Sequence, residues 1–260
     1  VFCNDVKIQG ITMVDGGSSH MVPGACRNVE IDDVNIMSRV CTGDGIDIVG
    51  CEDLTLRDSF IRASDDCVCI KAASYPDPAA NRNVKNILVE HCVLWNAEPG
   101  NAVEIGYEVR CDEISDITFR DLDIVHCQYE GNQSGGVLTI HNADRAYIHN
   151  IVYEDIRVED AQEKFIDIKV LDSKYSLDRS RGRVEDIFFR NIEILNGNFP
   201  VSIIRGFEMH TEMSRPQNIH FDNVVVLGEH INSPSDLHMV VELSNDIWFN
   251  GKVHVKRKPF

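Results

Sequence analysis

The sequence predicts an all-β chain wound as a parallel β-helix of about nine coils, and three observations carry the prediction. A nine-residue phrase recurs: Asp or Asn, aliphatic, any residue, large apolar, any residue, polar, then apolar residues at alternate positions. This two-residue alternation belongs to strands, whose side chains point to opposite faces in turn, and not to helices. Successive copies begin 23 to 36 residues apart, a period that marks a solenoid whose repeats bury their apolar faces against one another.

The copies read DVKIQGITM from Asp5, NVEIDDVNI from Asn28, DLTLRDSFI from Asp53, NILVEHCVL from Asn86 and DITFRDLDI from Asp116. They continue as NIVYEDIRV from Asn150, DIFFRNIEI from Asp186, NIHFDNVVV from Asn218 and a degraded DIWFNGKVHV from Asp246. A second, shorter strand is predicted after most copies: DGIDI, CVCIK, AVEIG, VLTIH, FIDIK, VSIIR and MVVEL. The polar residue within the phrase (Asp33, Asp58, His91, Asp121, Asp155, Asn191, Asn223) is expected at a bend, bonding its own backbone. Ala72 to Asn83, with two prolines, reads as a protruding loop, and Lys174 to Arg183 as a charged excursion. Long turns on a solenoid crowd one side and wall a groove. No linker or low-complexity segment interrupts residues 1–260, so one domain is expected. It opens directly into a repeat at Val1, and its natural N-terminal part is expected to be missing.

The formal charge of −17 argues against a nucleic-acid partner, which selects a basic face, and weighs against a polyanionic substrate. No apolar run reaches the roughly 18 residues that span a bilayer, so no membrane partner is expected. The nine cysteines are odd in number and none has a metal-ligand spacing. They are expected as buried free thiols inside the coil, with neither metal nor cofactor required.

Thr42 to Lys71 carries the chemistry. Gly43-Asp44-Gly45-Ile46-Asp47-Ile48 and Asp65-Asp66-Cys67-Val68-Cys69-Ile70 have one shape, and aligning Ile48 with Ile70 sets Asp44 level with Asp66. On adjacent rungs, ~4.8 Å apart, Asp44, Asp65 and Asp66 fall within roughly 5–10 Å of each other, with Asp47 nearby. Crowded carboxylates push their proton affinities apart, which costs stability and suits acid/base catalysis. Elsewhere there is no G-x-S-x-G elbow, no H-E-x-x-H, no phosphate loop and no dinucleotide fingerprint.

TGDGIDI followed by SDDCVCIK resembles the N-T-D-G and D-D-C motifs of the polygalacturonases, glycoside hydrolase family 28. The next stretch, with Trp95, Ile105-Gly106-Tyr107 and Val125-His126, looks closer to family 49, the dextranases and isopullulanases. Both resemblances imply a right-handed parallel β-helix and an inverting hydrolase. They cast Asp65 as the general acid, with Asp44 and Asp66 holding and deprotonating the attacking water. An inverting pair leaves room for that water, with carboxyls roughly 6.5–9.5 Å apart.

Two departures steer the substrate. The Gly-His-Gly of polygalacturonases falls at Gly100-Asn101-Ala102, where His has become Asn. Their uronate-gripping Arg-Ile-Lys falls near Leu138-Thr139-Ile140-His141, which holds neither Arg nor Lys. A neutral, α-glucan-like oligo- or polysaccharide is therefore the expected substrate. Lys71, Asn101, Glu104, Tyr107, Glu108, His126 and His141 are the candidate sugar contacts, and Trp95 is expected in the core. A pectin polygalacturonase or lyase, and a non-catalytic glycan-binding β-helix, are the alternatives. A secreted or periplasmic location is expected.

Overall fold

The computed structural model describes residues 1–72, 81–128, 135–198, 201–209 and 212–255. Nine strands stack in parallel in one long sheet, one for each copy of the phrase, with the copy at Asp53 broken into Glu52–Arg57 and Phe60–Ala63. The sheet runs from Asn4–Val14 through Val84–Asn96 and Glu113–Cys127 to Asn245–Phe249, and the antiparallel strand Lys252–Val255 closes it. A second parallel sheet holds Ile46–Val49, Val68–Lys71, Val103–Tyr107, Leu138–Asn142, Ile166–Val170, Ile203–Arg205 and Val240–Glu242, in that order. Seven strands in this sheet enclose about six complete turns, fewer than the nine coils predicted. The first rungs reach the second sheet only through the isolated bridges Met21↔Ile46 and Gly24↔Val49, so repeated phrases outnumber closed coils. The predicted loop after Ala72 lies mostly at residues 73–80, outside the described residues.

Each phrase forms a strand bent at two fixed points. The opening residues Asp5, Asn28, Asp53, Asn86, Asp116, Asn150, Asp186, Asn218 and Asp246 have φ between 50° and 56°. Asp33, Asp58, His91, Asp121, Asp155, Asn191 and Asn223 have φ between 50° and 53°. Asn and Asp tolerate this left-handed conformation better than other side chains, which is why they recur there. Their side chains bond the neighbouring rung, where a bond to their own backbone was predicted. Asn86 Nδ2 donates to Asp53 Oδ1 at 2.8 Å, Asn191 to Asp155 at 3.0 Å, and Asn223 to Asn191 at 3.0 Å.

Inside the coil, the apolar positions stack into columns. Phe119, Tyr153, Phe189, Phe221 and Phe249 form one aromatic ladder with centroids 4.7–5.1 Å apart. Seven of the nine cysteines are buried; Cys3 and Cys41 are exposed, and all nine are free thiols. Among the described residues, no helix is long and apolar enough to cross a membrane.

Candidate active site

The second sheet is the floor of the site. Ile46 and Ile48, Val68 and Ile70, Val103 and Ile105, and Leu138 and Ile140 belong to the core. Residues alternating with them therefore face outward in two rows. One row reads Asp47, Cys69, Glu104, Thr139 and Asp167 from rung to rung. The other contains Val49 beside Lys71, and then Gly106, His141, Lys169 and Arg205. Ile48 pairs with Ile70, and the Gly45 amide donates to the Asp66 carbonyl at 2.8 Å, so Asp44 and Asp66 sit on adjacent rungs.

Asp44, Asp65 and Asp66 each bring one oxygen within 4.8 Å of the other two. The ~6.5–9.5 Å anticipated for an inverting pair is measured between whole carboxyl groups, a longer distance than between their nearest oxygens. They line a cavity of about 350 Å³ together with Lys71, Asn101, Glu104 and Tyr107. Burial pushes Asp65 up to about 7, and the Asp66 charge adds to it. Burial likewise pushes Asp44 up to about 8, against the pull of Lys71. Asp66 is raised well above the ordinary carboxylate range by burial and then by Glu104. Such groups release protons as a unit and not one residue at a time.

The supports of this cluster differ. Lys71 Nζ lies 3.2 Å from both Asp44 Oδ2 and Asp47 Oδ1. Burial would lower its proton affinity, but Cys69, Asp47, Asp44 and Asp66 together raise it well above the usual lysine value. Ser19 Oγ donates to Asp47 at 2.5 Å and reaches Asp44 at 3.4 Å. His20 accepts from the Gly16 amide through Nε2 at 2.8 Å, so its Nδ1 carries the proton bonded to the Asp44 carbonyl at 2.9 Å. Asn101 holds Asp66 twice, through its backbone N–H at 2.9 Å and Nδ2 at 2.7 Å. Its Nδ2 also reaches Glu104 at 2.9 Å, while its Oδ1 accepts from Gly136 N and Thr139 Oγ1. Gly100, with φ +105°, packs its α-carbon against the Asp65–Asp66 peptide, where an added Cβ would stand 2.5 Å from the Asp65 carbonyl carbon.

Lys71, Asn101, Glu104, Tyr107 and Glu108 line the cavity with the three aspartates. Two predicted sugar contacts do not. His141 is fully buried, its Nδ1 2.8 Å from Glu104 Oε1 and its ring stacked on Tyr107 at 4.4 Å. It supports the floor from below and cannot meet a sugar. Burial would lower its proton affinity, but Asp167 and Glu104 overcome that and raise it to about 9. His126 sits on the long sheet, bonded to Asp160 and Gln128 at 2.8 Å each, in a different cleft. Trp95 is 38% exposed beside it, where a core position was predicted. Trp95 alternates with the buried Leu94 and Asn96 and so faces outward, and a shift of register between Leu94 and Trp95 pairs it with His126.

Several residues of the site escaped sequence reading. Ser19 and His20 come from a rung with no second strand, and Tyr175 comes from the excursion at Lys174 to Arg183. Tyr175 packs on Tyr107 at 5.2 Å and walls the cavity. Lys169 was visible in FIDIK, but only the register shows that it continues the row of His141.

Residues 1–234 match the description of glycosyl hydrolases family 28. The chain belongs to that family. The lean toward the dextranases of family 49 is thereby corrected. The short apolar-Gly-aromatic turn that suggested it is local, while the family 28 match extends over nearly the whole chain. An exopolygalacturonase of Zea mays is 26% identical over 198 residues, covering 74% of this chain and 45% of that one. The crystal structure of a hyperthermoactive exopolygalacturonase from Thermotoga maritima superposes with a TM-score of 0.67 at 17% identity, covering 97% of this chain and 54% of the other. PfbA, a surface adhesin of Streptococcus pneumoniae, gives a TM-score of 0.57 at 14% identity, covering 95% and 60%. These two structures share the fold. This family 28 chain spans less than half the length of the curated relatives it matches.

Proposed function

We propose that the chain is an inverting glycoside hydrolase of the polygalacturonase type, cleaving a galacturonan such as pectin, with Asp65 as the acid. The observation that carries this reading is the convergence of Asp44, Asp65 and Asp66 at the wall of an open cavity, with Asp65 held protonated up to about pH 7. Two acceptors that share one water, each ~2.8 Å from it at the tetrahedral angle, stand about 4.6 Å apart. The oxygens of Asp44 and Asp66 lie within 4.8 Å of each other, which admits such a water. In the reaction, the water oxygen bonds to the anomeric carbon as the glycosidic bond breaks. The leaving oxygen takes the Asp65 proton, and the Asp44–Asp66 pair takes one from the water. This step uses the microstate in which the cluster, titrating as a unit, carries its proton on Asp65 and leaves a carboxylate of the pair ionised beside Lys71. Asp44 is pinned by Lys71 and Asp66 by Asn101, which favours their holding water over either one bonding to carbon.

Galacturonan replaces the neutral glucan expected from the sequence. The family match and the relatives named exopolygalacturonases support it. Without metal or cofactor, polygalacturonate should yield reducing ends whose first-formed anomer, read by NMR, is inverted. Asp65→Asn should lose turnover by at least about 10³-fold, and its thermal melt should be retained. Unchanged turnover in that variant, or hydrolysis of dextran in preference to polygalacturonate, would refute the reading. The adhesin-like alternative predicts binding without reducing ends from the unaltered chain.

A further inference from the structure

The geometry points to a second carbohydrate site, on the outer face of the long sheet and separate from the catalytic cavity, which binds a uronate polymer across Arg62, Trp95 and His126. The long sheet sets Val14, Met37, Arg62, Trp95 and His126 level with one another on successive rungs. Five rungs at ~4.8 Å make a strip of about 19 Å. Met37 and Trp95 are 39% and 38% exposed, although Ile36 and Leu94 beside them are completely buried, and Val14 on the first rung is 62% exposed. Such a row of exposed large side chains, open along one line, is the mark of a binding surface.

Around Trp95 the strip deepens into a cleft of about 580 Å³, lined also by Glu98 and Gln128. The Arg62 guanidinium lies 5.6 Å from the Trp95 ring centre, and the His126 ring meets Trp95 edge-on at 6.4 Å. Arg62 donates to the Ser38 carbonyl, and among the described residues no carboxylate pairs with it. In a chain of net charge −17, an arginine without an acidic partner beside an exposed indole is a charge complement for an anion. An exposed indole offers a flat apolar platform to a pyranose face, and a guanidinium binds a carboxylate in two-pronged fashion. Together they fit a sugar that carries both, a uronate residue. Pro99 lines the catalytic cavity and Glu98 the outer cleft, so one turn separates the two. A polymer held on the strip has its adjoining length beside the catalytic aspartates.

The choice of uronate over a neutral sugar rests on the galacturonan reading; the existence of the site does not. The test is a titration of tryptophan fluorescence in a Trp248→Phe background, where Trp95 is the one remaining indole. Asp65→Asn is included to block turnover, and oligogalacturonates and dextran oligomers of equal length are the ligands. A saturable change with oligogalacturonate, weakened at least about 10-fold by Arg62→Gln, supports the site. So does an unchanged initial rate of Trp95→Ala on the shortest cleavable oligomer together with a raised KM on long polymer. A flat titration, or a change that Arg62→Gln leaves intact while Tyr107→Ala abolishes it, overturns the site even where galacturonan is hydrolysed. An equal response to dextran overturns the uronate assignment.

Discussion

At the scale of single residues, the site is governed by where protons sit. Asp65 and Asp44 keep theirs up to about 7 and about 8, chiefly because both are buried. In the unfolded chain the same groups ionise near pH ~4. The stability they contribute is therefore fully present below that pH and is lost as pH rises through about 7 and about 8. Thermal melts should fall between those limits, and Asp44→Asn should flatten the decline; melts that climb over this range would contradict the assignment. Lys71 pulls both carboxyls down. Lys71→Met should thus move both limbs of the pH–rate profile upward, and limbs that stay in place would show that the ammonium does not act on the acids. The aspartates themselves were legible, because two like-shaped segments one coil apart put them together. Asn101 was legible as a position but not as a function: its grip on Asp66, Glu104, Gly136 and Thr139 crosses two rungs.

At the scale of elements, the phrase fixed the strands and the left-handed Asn and Asp columns fixed their corners. The core ladder is the sharpest consequence. Phe189 stacks between Tyr153 at 4.9 Å and Phe221 at 4.8 Å and is almost completely buried. Phe189→Ala should cost about 3–5 kcal/mol, measured by denaturant unfolding with an unchanged slope. A loss under about 1 kcal/mol would mean that neighbouring coils collapse into the gap. Trp95 shows where side-chain character misleads. Its large apolar ring reads as interior, but it alternates with the buried Leu94 and Asn96 and so faces outward, and the shifted register sets it beside His126. His141 errs the other way. It lies on the outward row, yet Tyr107 covers it, since Gly106 lets the chain pass against the His141 backbone, 2.2 Å from where a Cβ would stand.

At the scale of the molecule, a charge of −17 opposes the approach of a polyanion. On the galacturonan reading the net charge is a poor guide to substrate, because it is a sum over the whole surface while recognition is local to one face. Long-range repulsion is screened over ~10 Å at 0.1 M salt. Activity at low galacturonan concentration should accordingly rise by about 2–5-fold between 10 and 100 mM salt before contact pairing weakens it. A steady fall from the lowest salt would show that local cations dominate at every range.

By itself the sequence determined the parallel β-helix, its rung spacing and the meeting of three aspartates, because a repeat fixes which residues share a level. Only the tertiary structure decided the number of closed coils, the concealment of His141, the pairing of Trp95 with His126, and the arrival of Ser19, His20 and Tyr175 at the site. Those depend on register shifts, covering loops and contacts between coils, which are properties of the stack and are written in no single repeat.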